Sequence, residues 1–409
     1  MEQSERRLGR FAWLLGGGGL YQAAYSAVTT VIGPLLNSRG ISAEQLGFLN
    51  SMNWAVITLA SVPAGRLSDE VGRLLPFLVS AGTASVGWAL LILRTDFIFS
   101  TVAFLAAGLS LALFTPNSTA LISESCPIAV APIYFALFHM VTWGCAALAS
   151  AASGWASGSL GAESPLLMAS VLYAMSGAAL MLSARRASHK SSNLGGTGTR
   201  GALHAIDLRG AVTTIRSNRL LAFYGFGLFF HTFGFLMITP YLSLYAEKII
   251  GLDMAGVGLV MAAWNGGLMV GLLPWAWAST KKGREAILVA HFILSAVTWS
   301  AVTLSQDLVS SMFIMFVFGI VGSMDLPARR TLTAELSSPE KLAEATGFIE
   351  LATGIGGLTG SLLGGVLWER LGPTFPFYAG SLMTLLSVAP MLKLAARVKN
   401  RTMTAGGTS

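Results

Sequence analysis

Gly65-Arg-Leu-Ser-Asp-Glu-Val-Gly-Arg73 lies between two long apolar runs, and a shortened copy, Lys281-Lys-Gly-Arg284, lies between two more. Gly72-Arg73 maps onto Gly283-Arg284 with an offset of 211. The same offset carries Gly40 to Gly251, Gly47 to Gly258, Pro63 to Pro274, Trp88 to Trp299 and Asp96 to Asp307. It also carries Gly108 to Gly319, Pro116 to Pro327, Glu124 to Glu335, Gly154 to Gly365, Gly161 to Gly372 and Pro165 to Pro376. No insertion is needed from Gly40 to Pro376. The matches are mostly glycines, prolines and charges, the residues that set helix ends and close approaches. Weak internal symmetry in an apolar chain points to a membrane transporter built from two related halves.

The solvent follows from composition. The chain is 54% hydrophobic and 11% charged, against roughly 25% charged for a soluble domain. Apolar runs begin near Phe11, Gln45, Leu75, Phe97, Ile133, Pro165, Leu220, Met254, Ala286, Leu308, Ala343 and Pro373. Each is about 18 to 27 residues long, enough to cross a hydrocarbon layer of ~30 Å. The expectation is an all-α membrane protein with twelve transmembrane helices in two pseudo-symmetric six-helix bundles. Strands of alternating polarity are absent, which excludes a barrel. The first run follows Arg6, Arg7 and Arg10, but it is too long for a signal peptide and lacks a small-residue cleavage pattern.

The net charge of +7 reports orientation. With the N-terminus in the cytoplasm, four of the 26 Lys and Arg fall outside: Arg39, Arg94, Lys248 and Arg370. The rest cluster at the tails and the loops after spans 2, 6, 8 and 10, so both termini are expected to be cytoplasmic. Localisation to the cell membrane as a multi-pass protein follows. The basic excess suits anionic lipid rather than nucleic acid, since no basic helix stands clear of the membrane. Cys126 and Cys145 read as small apolar residues rather than a disulfide. The expected division is an N-terminal six-helix bundle at 1–184, a Gly/Ser-rich cytoplasmic linker at 185–219, a C-terminal six-helix bundle at 220–398 and a disordered tail at 399–409. A short interfacial helix is expected from Ala205 to Ile215.

Gly65 to Arg73 resembles the signature loop of the major facilitator superfamily, Gly-x-x-x-Asp-x-x-Gly-Arg, and sits where that family has it, between spans 2 and 3. With the second copy between spans 8 and 9, the resemblance covers essentially the whole chain. It implies that Gly65, Asp69, Gly72, Arg73 and Glu124 form a conformational latch. Arg73 would bridge Asp69 and Glu124, and Asp69 would face the positive N-terminal end of span 11 when the cytoplasmic side is shut. The resemblance also implies a central cavity lined by spans 1, 4, 7 and 10, with help from 2, 5, 8 and 11.

Polar groups at mid-depth are the substrate-binding candidates: Tyr21, Gln22 and Tyr25 in span 1, Asn50, Asn53 and Trp54 in span 2, His231 in span 7, and Trp264 with Asn265 in span 8. Two Asn/Trp pairs at matching depth suit a pocket that stacks and hydrogen-bonds a small organic molecule. Ionisable residues in the spans are few and costly in hydrocarbon. His231 is the first choice for a proton site because imidazole titrates near physiological pH. Glu350, Asp325 and His139 follow. Asp325 reads equally as a structural partner of Arg284 or of freed backbone, and His291, on a span expected at the periphery, as structural.

Two departures from family patterns stand against proton-drug antiport. Phe104 occupies the place of an Arg common in proton-coupled members, and Ala149-Ser-Ala-Ala-Ser-Gly154 lacks the proline of a drug-antiporter run in span 5. Gly354-Ile-Gly-Gly lacks the Lys-Ser/Thr of a phosphate loop. The leading expectation is a secondary transporter of a small organic solute working by alternating access, with protons as a candidate coupling ion, as a monomer in the bilayer, without metal or cofactor. An uncoupled facilitator of a neutral metabolite or sugar is the alternative. An enzyme would need a convergent nucleophile-base or metal cluster, and a membrane sensor an appended signalling domain; the sequence offers neither.

Overall fold

The computed structural model describes residues 2–126, 130–185, 218–337 and 342–406. Helices follow one another through short turns. We number them by span: α1 Glu2–Ser38, α2 Ala43–Val71, α3 Leu74–Leu93, α4 Phe97–Ser125, α5 Ala131–Leu160 and α6 Ser164–Arg185. The second set opens with α7, Arg219–Ile238, which continues through a tight turn, Thr239–Tyr241, into Leu242–Lys248. Then come α8 Met254–Lys282, α9 Arg284–Ala301, α10 in two pieces (Leu308–Gly322 and Asp325–Leu336), α11 Leu342–Leu371, and α12 as Phe375–Leu386 and Val388–Gly406. Among the described residues, nine of these are long and apolar enough to cross a membrane by composition alone; α1, α2 and the divided α10 complete the twelve. The last helix runs to Gly406, through most of the stretch expected to be disordered. The interfacial helix expected at 205–215 lies outside the described residues.

The repeat is visible in the backbone. Glycines with positive φ occur in three pairs, each offset by 211: Gly40 and Gly251 at 86° and 80°, Gly72 and Gly283 at 83° and 86°, Gly161 and Gly372 at 113° and 113°. An L side chain is strained at such angles, so these turns are fixed by the glycines themselves. Helix caps repeat as well. Ser42 accepts from Gln45 N at the start of α2, and its counterpart Asp253 accepts from Gly256 N at the start of α8. Asp96 and Asp307 do the same for α4 and α10. Each satisfies a backbone donor that the first turn leaves free.

The Gly72 and Gly283 turns share one face of the molecule with both chain ends; we name it the motif face. The Gly40, Gly161, Gly251 and Gly372 turns mark the opposite face. In the first bundle the buried apolar residues form one continuous cluster, from Phe11 through Tyr21, Phe77 and Phe114 to Tyr173. In the second bundle they form two. One holds Leu220, Tyr224, Phe292 and Phe348, the other Ile238, Trp299, Phe318 and Phe377. A polar cavity occupies the interval.

The bundles meet along α2 with α11 and α5 with α8. Ser51 Oγ donates to Leu358 O over 2.8 Å, and a Cβ on Gly365 would lie 2.5 Å from Ala43 O. Gly33 of α1 approaches Ser243 of α7, where a Cβ would sit 3.2 Å from Oγ. At mid-depth Gly354 packs on Thr58, and Gly357 on the ring of Trp54. Two turns closer to the motif face the contact is gone: a Cβ on Gly347 would meet none of the described residues within 4 Å. The interface is tight toward the opposite face and opens toward the motif face.

Candidate functional site

A cavity of about 280 Å³ is walled almost wholly by the second bundle. Its polar lining is His231, Thr232, His291, Ser295, Asp325, Arg329, Glu350 and Thr353; its aromatic lining is Trp54, Phe235, Trp264, Trp299 and Phe318. The first bundle contributes Trp54. The nine substrate-binding candidates therefore divide. Trp54, His231 and Trp264 reach this cavity. The other six do not line it, and four of them are bonded elsewhere.

Tyr21 is buried in the first bundle, its hydroxyl 2.8 Å from Ser110 Oγ and its ring stacked on Phe114 at 3.8 Å. Asn50 Nδ2 donates to Leu46 O one turn back over 3.0 Å. Asn53 Nδ2 donates to Phe104 O of α4 over 2.9 Å, tying two helices of one bundle. Asn265 Nδ2 lies 3.2 Å from Ser26 Oγ and 3.3 Å from Ser150 Oγ, making a polar junction of α8 with α1 and α5 across the bundle interface. Gln22 is half-buried and Tyr25 partly exposed on α1.

The ionisable candidates are rearranged too. His231 Nδ1 lies 2.6 Å from Thr384 Oγ1, and its Nε2 lies 3.1 Å from His291 Nε2. His291 Nδ1 lies 2.9 Å from Val321 O. His291 is not peripheral: α9 brings its ring to the cavity wall against His231. Asp325 pairs with Arg329 one turn on, Oδ2 to Nη2 at 2.6 Å, rather than with Arg284, whose partner is Glu335. Glu350 stands exposed at the cavity wall. His139 lies on α5 beside Phe138 and Trp143, away from this lining. Arg329 was not singled out from the sequence; its spacing of four from Asp325 was the available signal. The indole Nε1 atoms of Trp264 and Trp299 are buried without an acceptor among the described residues.

At the motif face Arg73 Nη1 donates to Asp69 Oδ1 and Ser68 Oγ, both at 2.7 Å, and Nη2 donates to Glu124 Oε1 at 2.9 Å. Burial pulls the Arg73 pKa down, but the hydrogen bonds and charges of Glu124 and Asp69 leave it above its ordinary value. Asp69 is otherwise open, at 70% side-chain exposure. The second bundle repeats the link, Arg284 with Glu335, at the same offset of 211 from Arg73 and Glu124. The Asp69 arm has no counterpart, since Thr280 holds that place.

The family model described as Major Facilitator Superfamily matches residues 14–257 and 224–406. The efflux pump azaK of Aspergillus niger is 28% identical over 159 residues, which is 38% of this chain and 34% of that protein. The multidrug resistance protein MdtG of Proteus mirabilis is 25% identical over 155 residues, 36% of this chain and 37% of its own. The matched stretch is thus 34% and 37% of these relatives' length. Among solved structures, the nucleoside transporter NupG superposes with a TM-score of 0.73 at 12% identity, covering 95% of this chain and 99% of that one. A bacterial homologue of the human lysosomal transporter Spinster, inward-facing and unoccupied, gives 0.65 at 14% identity, covering 96% of each. At such identities the likeness is one of fold.

Proposed function

This chain belongs to the Major Facilitator Superfamily, transporters rather than enzymes, and we propose that it is a secondary transporter carrying a small organic solute by alternating access, driven by protons. One observation carries the reading. The bundle interface is closed at Gly354 against Thr58 and open at Gly347, so a cavity between mid-membrane and the motif face communicates with one side. With both termini in the cytoplasm, which the Lys/Arg distribution favours, this arrangement reads as the inward-open state of a monomer in the cell membrane. The bundles at 1–184 and 220–398 act as rigid bodies joined by the linker at 185–219. Closing the motif face would carry Asp69 to the N-terminal end of α11, where the helix dipole favours an anion.

The solute meets aromatic faces from Trp54, Trp264 and Phe318, hydroxyls from Thr232 and Thr353, and charges from Arg329 and Glu350. That lining suits a partly apolar molecule with hydrogen-bonding groups. The names of the similar proteins speak of multidrug resistance and of nucleosides, and select no class.

The experiment is a thermal-shift screen of purified protein against nucleosides, organic anions and organic cations, followed by uptake of the hit into proteoliposomes. Accumulation driven by a pH gradient and lost in His231→Ala supports the reading. Equilibration without accumulation supports the facilitator, which Phe104 in place of the usual Arg favours.

A further inference from the structure

His231 and His291 stand 60 residues apart in the chain, and their bonding partners dictate where the hydrogens sit. Val321 O can only accept, so His291 Nδ1 carries a hydrogen and donates it over 2.9 Å. In the neutral ring, His291 Nε2 then holds a lone pair. His231 Nε2, 3.1 Å away, must donate to it. That leaves His231 Nδ1 as an acceptor, and the Thr384 hydroxyl donates to it over 2.6 Å. Donors run in one direction, Thr384 to His231 to His291 to Val321, with both rings neutral and every nitrogen paired.

We propose that His231 and His291 form one proton-binding unit that takes up a single proton at His231 Nδ1, its charge shared through the hydrogen between the facing Nε2 atoms, while the Thr384 hydroxyl turns from donor to acceptor. This rests on the reading of a proton-driven transporter and adds the second ring, the relay hydroxyl and the number of protons.

The balance is as follows. One added proton places a hydrogen on His231 Nδ1, which then donates to Thr384 Oγ1. The N–H···N bond between the rings persists, and the charge resides on either imidazole according to which Nε2 keeps the shared hydrogen. A second proton would put a hydrogen on both Nε2 atoms, each pointing at the other across 3.1 Å, and would set two like charges in contact. The pair therefore titrates as a unit.

The surroundings fit a single charge. Phe292 and Trp299 stack on His231 at 4.7 Å and 5.3 Å and hold the ring in register. Both imidazoles border the cavity, which gives a proton its route. Among the described residues, the charged groups lining the cavity beside the pair are Asp325 and Arg329 of α10, bonded to each other, and Glu350 of α11; α12 presents Thr384, and α9 adds Ser295 Oγ at 3.4 Å from His291 Nδ1. The formal charges of Asp325, Arg329 and Glu350 sum to minus one. One proton on the pair balances them, and a second would exceed them.

The test uses the full chain in lipid nanodiscs with 15N-labelled histidine, of which there are five, and protons as the only probe. At alkaline pH one ring should be protonated on Nδ1 and one on Nε2, with scalar coupling across their shared bond. The first signal should vanish in His291→Gln and the second in His231→Gln. Acidification should add one proton to the pair, and Thr384→Val, which keeps the volume and removes the hydroxyl, should move that uptake to a different pH. Two Nε2-protonated rings, or two independent single-proton titrations, would overturn the proposal. Uptake assays separate it from the broader reading. Wild-type transport indifferent to a pH gradient removes proton coupling and leaves the resonance data to decide the pair. Coupling that survives intact in both His291→Gln and His291→Asn removes the pair and leaves coupling standing.

Discussion

Gly154 and Gly258 pack backbone against backbone where α5 meets α8: a Cβ on Gly154 would lie 2.6 Å from Gly258 Cα. Their counterparts at an offset of 211 are Gly365 and Gly47, and these meet as well, a Cβ on Gly47 falling 3.2 Å from Gly365 Cα. The two interbundle seams, α5 with α8 and α11 with α2, are thus copies of one contact. Small residues let helix backbones approach this closely within a membrane.

Gly154→Val and Gly258→Val should each force the seam apart. Overpacking a tight contact costs about 1–3 kcal/mol, which shifts a two-state equilibrium about 5- to 150-fold. The measurement is labelling of an engineered cysteine at Ser153, buried beside Gly154, by a membrane-impermeant maleimide in a variant whose native cysteines are replaced. Labelling should rise in both variants and in Gly47→Val. Gly158→Val, at a position with nothing within 4 Å, should leave it unchanged.

The junction of Asn265 with Ser26 and Ser150 should behave as one network. Asn265→Ala should lower stability by about 1 kcal/mol, the usual net worth of a hydrogen bond. Ser26→Ala and Ser150→Ala, whose hydroxyls are 2.7 Å apart, should be non-additive with it. Thermal unfolding of the three single and two double variants reads this directly; strict additivity would show that no network exists.

At the motif face, Asp69→Asn should weaken transport while leaving membrane insertion intact, because its charge serves a state other than the one seen. Glu124→Gln and Glu335→Gln should cost at most about 1 kcal/mol each, since such partly exposed pairs are screened by solvent. Normal transport in Asp69→Asn would remove the latch.

Glu369 of α11 accepts from Ala43 N, at the first turn of α2, over 3.2 Å. A carboxylate from one bundle thereby sits at the N-terminal end of a helix in the other, worth about 0.3–1 kcal/mol. Glu369→Gln should raise maleimide labelling of the cysteine at Ser153 about two- to fivefold; an unchanged rate would show that the contact does not hold the opposite face shut.

The fold was legible because its punctuation is chemical. Gly72 and Gly283 stand at φ values that only glycine takes freely, and Asp96 and Asp307 cap helices that an apolar pattern alone would not have delimited. The site was less legible because nearly every face of these helices is apolar. Periodicity could not say whether Tyr21 faced the cavity or the bundle core, and it packs with Ser110 and Phe114. Asn53 looked poised for a solute but satisfies Phe104 O. His231 was found because an imidazole at mid-depth is rare. The place of His291 beside His231 was not legible because it depends on α9 and α7 being neighbours, which no local pattern carries. Arg329 escaped because it lies in the short second piece of α10, which follows the break at Ser323 and Met324.

The most direct test is a pair of distances between spin labels in a variant whose two native cysteines are replaced. One pair, Ser159 and Gln306, spans the bundles at the opposite face; the other, Glu70 and Lys282, spans them at the motif face. On addition of the solute identified by the screen, the first distance should lengthen as the second shortens, with both states present in the same sample. Two distances that stay fixed, or that lengthen together, would contradict alternating access by two bundles.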